Sequence, residues 1–224
     1  MKKNYARVTH AIVAVDVCVF ALIDDALHIL LIKMTKKEMT GKWAVPGELV
    51  APEESLEDSV EHVLSEKTGL ENIFIQQLET FGAPNRDPFG RVISVAYLAL
   101  VHADQHTLRT TEEYAAVQWH PVGKLPRLAY DHKQIIKVAV DRLQAKLEYT
   151  NIARGLLSSA FTLTELQEVY EIILGRTLDK RNFRKKILSL GIVKKTKKVR
   201  RGEQSRPAAL YSFVHKSEKV TEIL

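Results

Sequence analysis

The chain has 224 residues, 46% of them apolar and 27% charged, enough for one large domain or two small ones with real cores, which excludes collagenous, disordered and disulfide-scaffold classes. Its net charge of +6 is unevenly spread: from Arg176 to Arg206 thirteen lysines and arginines face only Asp179 and Glu203, so the remainder is net acidic. A basic block joined to an acidic body points to a polyanion-binding module attached to a body with another task, the plainer alternative being a solvated lysine-rich surface.

The first elements are strands. VAVDVCVFAL and LHILLIK are apolar runs rich in β-branched residues, separated by Asp24 and Asp25, a good tight-turn pair. Cys18, the single cysteine, lies inside the first run. It can form no internal disulfide, and a buried, inert thiol in a reducing compartment is expected. After TGKWAVPGELVAPEE a helix is predicted, with Ser55 as N-cap, Asp58 completing a capping box, Leu56, Val60, Val63 and Leu64 on one apolar face, and Gly69 at the C-cap. IFIQQLETFG, VISVAYLALV and AAVQWHPV read as further strands, with NRDPFGR as a turn-rich loop. No run approaches the ~18 to 20 apolar residues of a membrane span, and MKKNYARVTH lacks the apolar core of a signal peptide, so a cytoplasmic protein without membrane association is expected.

From Asp131 the pattern turns helical, with Ile135, Ile136, Ala139, Leu143 and Leu147 at helical spacing; this connector stripe would pack on its own domain or form a twofold dimer contact. A second capping box, Thr162 with Glu165, and a hydrophobic staple, Phe161 with Leu166, start another helix that Gly175 closes. The turn RTL leads to a helix capped by Asp179, with Phe183, Ile187 and Leu190 on its buried side. Two short strands around a basic tip, with Gly202 and Pro207, complete the chain.

Residues 47–70, GELVAPEESLEDSVEHVLSEKTGL, resemble the Nudix box, G-x5-E-x7-R-E-U-x-E-E-x-G-U with U aliphatic. In such a box glutamates on neighbouring helical turns hold Mg²⁺, which neutralises a pyrophosphate and activates the attacking water. Aligned on Gly69 and Leu70, Glu54 is the first glutamate and Glu66 the first of the E-E pair. Glu48 falls on the opening glycine, His62 on the arginine, Val63 on the first metal-binding glutamate and Lys67 on the last. The resemblance therefore implies the fold without its catalytic set: no catalytic residue, no metal and no cofactor, but a retained ligand site. Candidates for that site are Glu54, Glu66, Lys67, Arg86, Arg91 and Phe89, the arginines because guanidinium binds phosphate bidentately. The alternative for Arg86 and Arg91 is a salt bridge with Asp87. Trp43 and Tyr97 could stack on a base but suit core packing better, and His132 is expected to structure the start of the connector helix.

Two helices joined by a tight turn and followed by a basic hairpin have the organisation of a winged helix-turn-helix. Lys180, Arg181, Asn182, Arg184 and Lys185 on the second helix are candidates for base edges and nearby phosphates, and Lys194, Lys195, Lys197, Lys198, Arg200, Arg201 and Arg206 in the wing mostly for phosphates or the minor groove.

Taken together, the degenerate box, LPRLAYDHKQII, FTLTELQEVYEIILGRTLDKRNFRKKIL and the RPAALYSF ending resemble the Nudix-related transcriptional regulators of the NrtR type. The resemblance implies a Nudix-like α/β/α sandwich with a mixed sheet over residues 1–150, including a connector helix at about 131–149, followed by a smaller winged helix-turn-helix over 151–224. It also implies a homodimer on an inverted-repeat operator of double-stranded DNA, ADP-ribose in the Nudix-like domain as effector, and repression of NAD-metabolism genes. A sister group of the same architecture responds to sugars such as arabinose. An active pyrophosphatase is the competing reading, against which Val63 and Lys67 speak.

Overall fold

The computed structural model describes residues 10–200, 207–215 and 217–224. Strands β1 (Ile12–Ile23) and β2 (Ala26–Met34) form the expected hairpin. Asp24 and Asp25 both adopt positive φ, 46° and 56°, the conformation that closes a two-residue turn with the twist of the flanking strands and that short polar side chains tolerate. With β3 (Trp43–Ala44), β4 (Gly47–Leu49), β5 (Ile75–Phe81), β6 (Val92–Leu100) and β7 (Tyr114–Pro121) they build a seven-stranded sheet in the order β3-β2-β1-β6-β5, β4 pairing with β1 and β7 with β2. β1 and β6 run parallel while the other pairings are antiparallel, so the sheet is mixed.

Strand periodicity divides the core into two layers. Val15, Val17, Val19 and Ala21 of β1 face α1 (Leu56–Thr68), where Val60, Val63 and Leu64 meet them. Cys18 and Phe20 face the opposite way, with Ile29 and Leu31, toward α2 (His132–Tyr149). The connector stripe, Ile135, Ile136, Ala139, Leu143 and Leu147, is wholly buried against this second layer. Of the two readings of the stripe, packing on its own chain is the one observed. Helix α1 starts with the Ser55–Asp58 capping box and ends on Gly69 at φ 76°.

The second half consists of a 3-10 turn at Ile152–Leu156, α3 (Leu163–Leu174), α4 (Lys180–Ser189) and the hairpin β8 (Val193–Arg200) and β9 (Ala208–Phe213). Thr162 and Glu165 form the capping box of α3, and the Asp179 carboxylate accepts from the Asn182 N–H at 2.7 Å to start α4. The turn between the helices is clamped. Glu171 accepts from the Leu178 N–H at 2.7 Å, and Gln167 donates to the Leu178 carbonyl at 2.9 Å. Phe161 exchanges backbone hydrogen bonds with Tyr211, which seats the hairpin beside α3. The apolar side of these helices, Leu166, Tyr170, Ile173, Phe183 and Ile187, joins the same cluster as Phe20, Leu31 and Leu143. The C-terminal segment then straps the end of α2: Thr221 and Ile223 donate to the carbonyls of Tyr149 and Glu148 at 2.7 and 2.6 Å, and Lys146 pairs with Glu218 at 2.6 Å. Arg201, Gly202 and Arg206 of the expected basic tip lie outside the described residues.

Candidate functional site

A cleft of about 270 Å³ opens over the end of the sheet, between β1, β2, β4, the loop before β6 and the start of α2. Its floor is built on Asp16, a carboxylate inside an otherwise apolar strand and only 6% exposed. Asp16 accepts from Ser94 Oγ at 2.5 Å and pairs with Arg86 Nη2 at 3.2 Å. Arg86, 7% exposed, also donates through Nε and Nη2 to the Asp131 carboxylate at 3.0 and 2.8 Å. Burial alone would lower the Arg86 pKa, but hydrogen bonding to Asp131 and the charges of Asp16 and Asp131 together hold it above the usual arginine value. His132 completes the floor. Its Nδ1 accepts from the Val45 N–H at 3.0 Å, and its Nε2 stands 3.5 Å from Asp16. Burial pushes the imidazole below its ordinary pKa despite Asp16 and Asp131. It is a neutral, structural histidine at the first turn of α2.

The wall of the cleft carries the degenerate box. Gly47, rather than position 48, meets the demand for a missing side chain: a Cβ there would lie 2.6 Å from the Val15 carbonyl oxygen and closer still to the Asp16 carboxylate. The loop between this glycine and Glu54 is thus one residue longer than the box pattern. Glu48 is then free to act as an anchor. It accepts from Ser59 Oγ at 3.2 Å, stands 3.1 Å from His62 Nδ1 and pairs with Lys67 at 3.1 Å. Lys67 is 9% exposed and donates to the Gly47 carbonyl at 2.9 Å.

The family pattern implies a divalent cation here, and the residues do not fit one. Val63 is fully buried in the apolar layer, so it offers no donor, and Lys67 places an ammonium among the remaining oxygens. Mg²⁺ requires a near-octahedral set of oxygen ligands, and a cation inside that set repels it. Glu48, Glu54 and His62 do bring one donor atom each within 4.8 Å of one another, but Glu48 is already held by Lys67 and Ser59.

The expected ligand residues are only partly brought together. Lys67 and Arg86 line the cleft, although Arg86 is committed to Asp16 and Asp131 rather than to Asp87. Glu54, Glu66, Phe89 and Arg91 do not line it. Glu66 is exposed, Phe89 lies under Lys36 with Nζ 3.7 Å from the ring centroid, and Arg91 donates to the carbonyls of Gly82 and Ala83. Trp43 packs edge-on to His120. Tyr97 is buried against α1, its hydroxyl donating to Glu57 and its pKa pushed up to about 12 by burial and by that carboxylate. Residues the sequence reading passed over, Asp16, Lys36, Glu113, Tyr114 and Tyr130, line the cleft. The signal for Asp16 was present: a lone charge in a buried strand demands partners.

The second surface is the solvent side of α4 and β8. Lys180, Arg181, Asn182 and Lys185 are exposed on α4, as are Lys194, Lys195, Lys197 and Lys198 on the wing. One expected base reader and one expected wing contact are otherwise engaged. Arg184 is half-buried and donates through Nη2 to Thr164 Oγ1 at 2.8 Å, tying α4 to α3. Arg200 pairs with Glu165 of the capping box, whose carboxyl, raised by burial, is brought net below its usual pKa by the Thr162 N–H and Arg200.

Both halves match known families. The NUDIX domain model matches residues 13–139 and the NrtR DNA-binding winged helix domain model residues 153–213. The chain belongs to the NrtR family of Nudix-related regulators. It is 35% identical over 206 residues to the ADPR responsive transcriptional repressor NtrR of Acinetobacter baylyi, covering 90% of this chain and 82% of that one. The structure of Shewanella oneidensis NrtR complexed with a 27mer DNA is similar at 33% identity and TM-score 0.79, over 90% and 93% of the two chains. The NUDIX domain of the same protein complexed with ADP ribose matches at 30% identity and TM-score 0.56, over 63% of this chain and 94% of that one. Within this family the α/β/α sandwich with its mixed sheet and the following winged helix are the expected architecture.

Proposed function

We propose that this protein is a transcriptional repressor that binds double-stranded operator DNA through its winged helix and responds to ADP-ribose held in the Nudix-like cleft, with NAD-metabolism genes as its targets. The observation that carries the reading is the joining, in one chain, of a Nudix box whose metal position holds a buried lysine to a winged helix whose second helix and wing carry solvent-exposed cations. The family, the DNA complex of the Shewanella relative and the ADP-ribose responsiveness of the Acinetobacter relative support it. The division of labour falls at about residue 150. Lys180, Arg181, Asn182 and Lys185 serve base edges and adjacent phosphates; Lys197 and Lys198 serve the backbone. The protein acts in the cytoplasm as a homodimer on an inverted repeat. Since the connector stripe is spent in the core, the dimer contact uses other surfaces.

The cleft binds without cleaving. Val63 and Lys67 occupy two of the box's metal-binding glutamate positions, and the Lys67 ammonium holds Glu48, so the carboxylates that would hold the activating metal are lost or engaged. The test has two arms. DNA selected by the protein from a random pool is titrated by fluorescence anisotropy with and without ADP-ribose and with arabinose; a change in affinity with ADP-ribose alone is expected, and a response to arabinose alone favours the sugar-responsive group. ADP-ribose is then incubated with the protein and Mg²⁺ and the products separated. Turnover near ~1 s⁻¹, ordinary for an enzyme, overturns the binding-only reading.

A further inference from the structure

The cleft is lined by four carboxylates, Asp16, Glu48, Asp87 and Glu113, against three cations, Lys36, Lys67 and Arg86. A diphosphate entering such a site needs positive charge that is not already spent. Arg86 is spent, being shared between Asp16 and Asp131. Lys36 stands exposed over the Phe89 ring. Lys67 differs from both. Its ammonium is buried at the wall, donates to the Gly47 carbonyl at 2.9 Å and is ion-paired with Glu48 at 3.1 Å. The Tyr114 ring centroid lies 5.6 Å from it, and both residues line the cleft.

We propose that the cleft takes its diphosphate as a metal-free anion, with the ammonium of Lys67 supplying the charge that a divalent cation would supply in a Nudix hydrolase, and with Glu48 as the internal acceptor that the phosphate displaces. This rests on the ADP-ribose reading for the identity of the ligand but not for the chemistry of the diphosphate. Glu48 can yield because Ser59 Oγ and His62 Nδ1 still hold its other oxygen, at 3.2 and 3.1 Å. Lys67 is fixed by a carbonyl that does not titrate, so the ammonium stays in place when Glu48 moves. An ion pair that opens onto a ligand serves as a placeholder, keeping a buried cation compensated until the anion arrives. The same residues explain metal exclusion, since the space beside Glu48 that a divalent ion would fill holds a cation already.

The assignment predicts effects of opposite sign at two touching residues. Binding of ADP-ribose, and separately of inorganic pyrophosphate, to the full chain is measured by calorimetry in EDTA and in Mg²⁺. The wild type is expected to bind ADP-ribose equally in both buffers and pyrophosphate no more tightly in Mg²⁺ than in EDTA, since Mg²⁺ itself sequesters free pyrophosphate. Lys67→Met should weaken binding by ~10- to 100-fold, the loss of one charge-assisted hydrogen bond. Lys67→Arg should recover most of it, and Glu48→Gln should bind more tightly than the wild type. A purely structural role for the pair would make both Lys67→Met and Glu48→Gln weaken binding. The double variant Lys67→Met with Glu48→Gln removes both charges together, guards against simple misfolding and should still bind weakly. Binding that requires Mg²⁺, tight uptake of Mn²⁺ by the free wild type at the box seen by electron paramagnetic resonance, or unchanged affinity in Lys67→Met overturns the proposal. If ADP-ribose fails in both buffers while pyrophosphate shows the two opposite effects, the ADP-ribose reading falls and this one stands; if neither anion binds, both fall.

Discussion

The cleft and the basic face handle charge in opposite ways. In the cleft, Arg86 and Lys67 are buried and each leans on carboxylates: Arg86 on Asp16 and Asp131, Lys67 on Glu48. On α4 and the wing, Lys180, Arg181, Lys185, Lys197 and Lys198 stand in solvent. A small anion must be held at fixed geometry in a partly dry site, so its cations are positioned beforehand by partners that compensate them. A duplex supplies a long row of phosphates and repays cations through counterion release, so solvated side chains suffice. Charge count alone cannot separate the two cases; the partners do.

The sharpest way to break the comparison is at Arg86. Arg86→Leu leaves Asp16 and Asp131 without their shared cation, and a loss of about 3–5 kcal/mol in urea unfolding is expected, as for a broken buried pair. The matching truncation Lys185→Ala on the basic face should stay within about 0.5 kcal/mol. If the two cost the same, the cleft is not preorganised by its ion pairs.

Next in size are the side chains proposed to read bases. Asn182→Ala should cost about 1–3 kcal/mol on operator DNA and much less on random DNA in anisotropy titrations. Arg184→Ala, because Arg184 is tied to Thr164, should instead lower stability while leaving the ratio of specific to nonspecific affinity unchanged. A specificity loss at Arg184 would mean that it leaves Thr164 on the DNA.

His132 gives a pH-dependent test of the cleft floor. Its folded pKa lies below the ordinary 6.5, so below that pH the unfolded chain takes up a proton that the folded chain refuses, and stability falls as pH drops from about 6.5 toward the lowered folded value. The slope reaches at most about 1.4 kcal/mol per pH unit. His132→Gln should flatten this part of the curve; an unchanged slope assigns it to other groups. The smallest effects belong to the wing: Lys197→Ala and Lys198→Ala should each weaken operator and random DNA alike and reduce the salt dependence by about one unit in slope.

Much of the fold was legible in sequence because it is written in local chemistry. The Asp24–Asp25 turn, the two capping boxes and the glycine caps at Gly69 and Gly175 each act within a few residues and were met in the structure. The cleft was less legible, because its floor joins residues as distant as Asp16, Arg86 and Asp131, a pairing that no local spacing encodes. Sequence order therefore suggested Asp87 as the partner of Arg86, whereas burial selected two carboxylates on other elements. Alignment of the box by its far end also hid the extra loop residue, which only the close approach of Gly47 to β1 reveals. Arg184 and Arg200 carry the right charge on the right elements, and their engagement with Thr164 and Glu165 depends on tertiary packing.

Helix α2 has a mechanical meaning that its apolar stripe does not state. Its 18 residues make a rod of about 27 Å. Asp131 at one end is gripped by Arg86 beneath the cleft; at the other, Gln144 donates to the Ile173 carbonyl of α3 at 2.8 Å and the C-terminal strap holds Glu148 and Tyr149. A close-packed rod does not absorb displacement along its length. A shift at the cleft end of α2 would therefore be passed on to α3 and the C-terminal strap rather than taken up within the helix. One helix thus ties the floor of the cleft to the domain that carries the basic face, and the two cannot move independently along its axis.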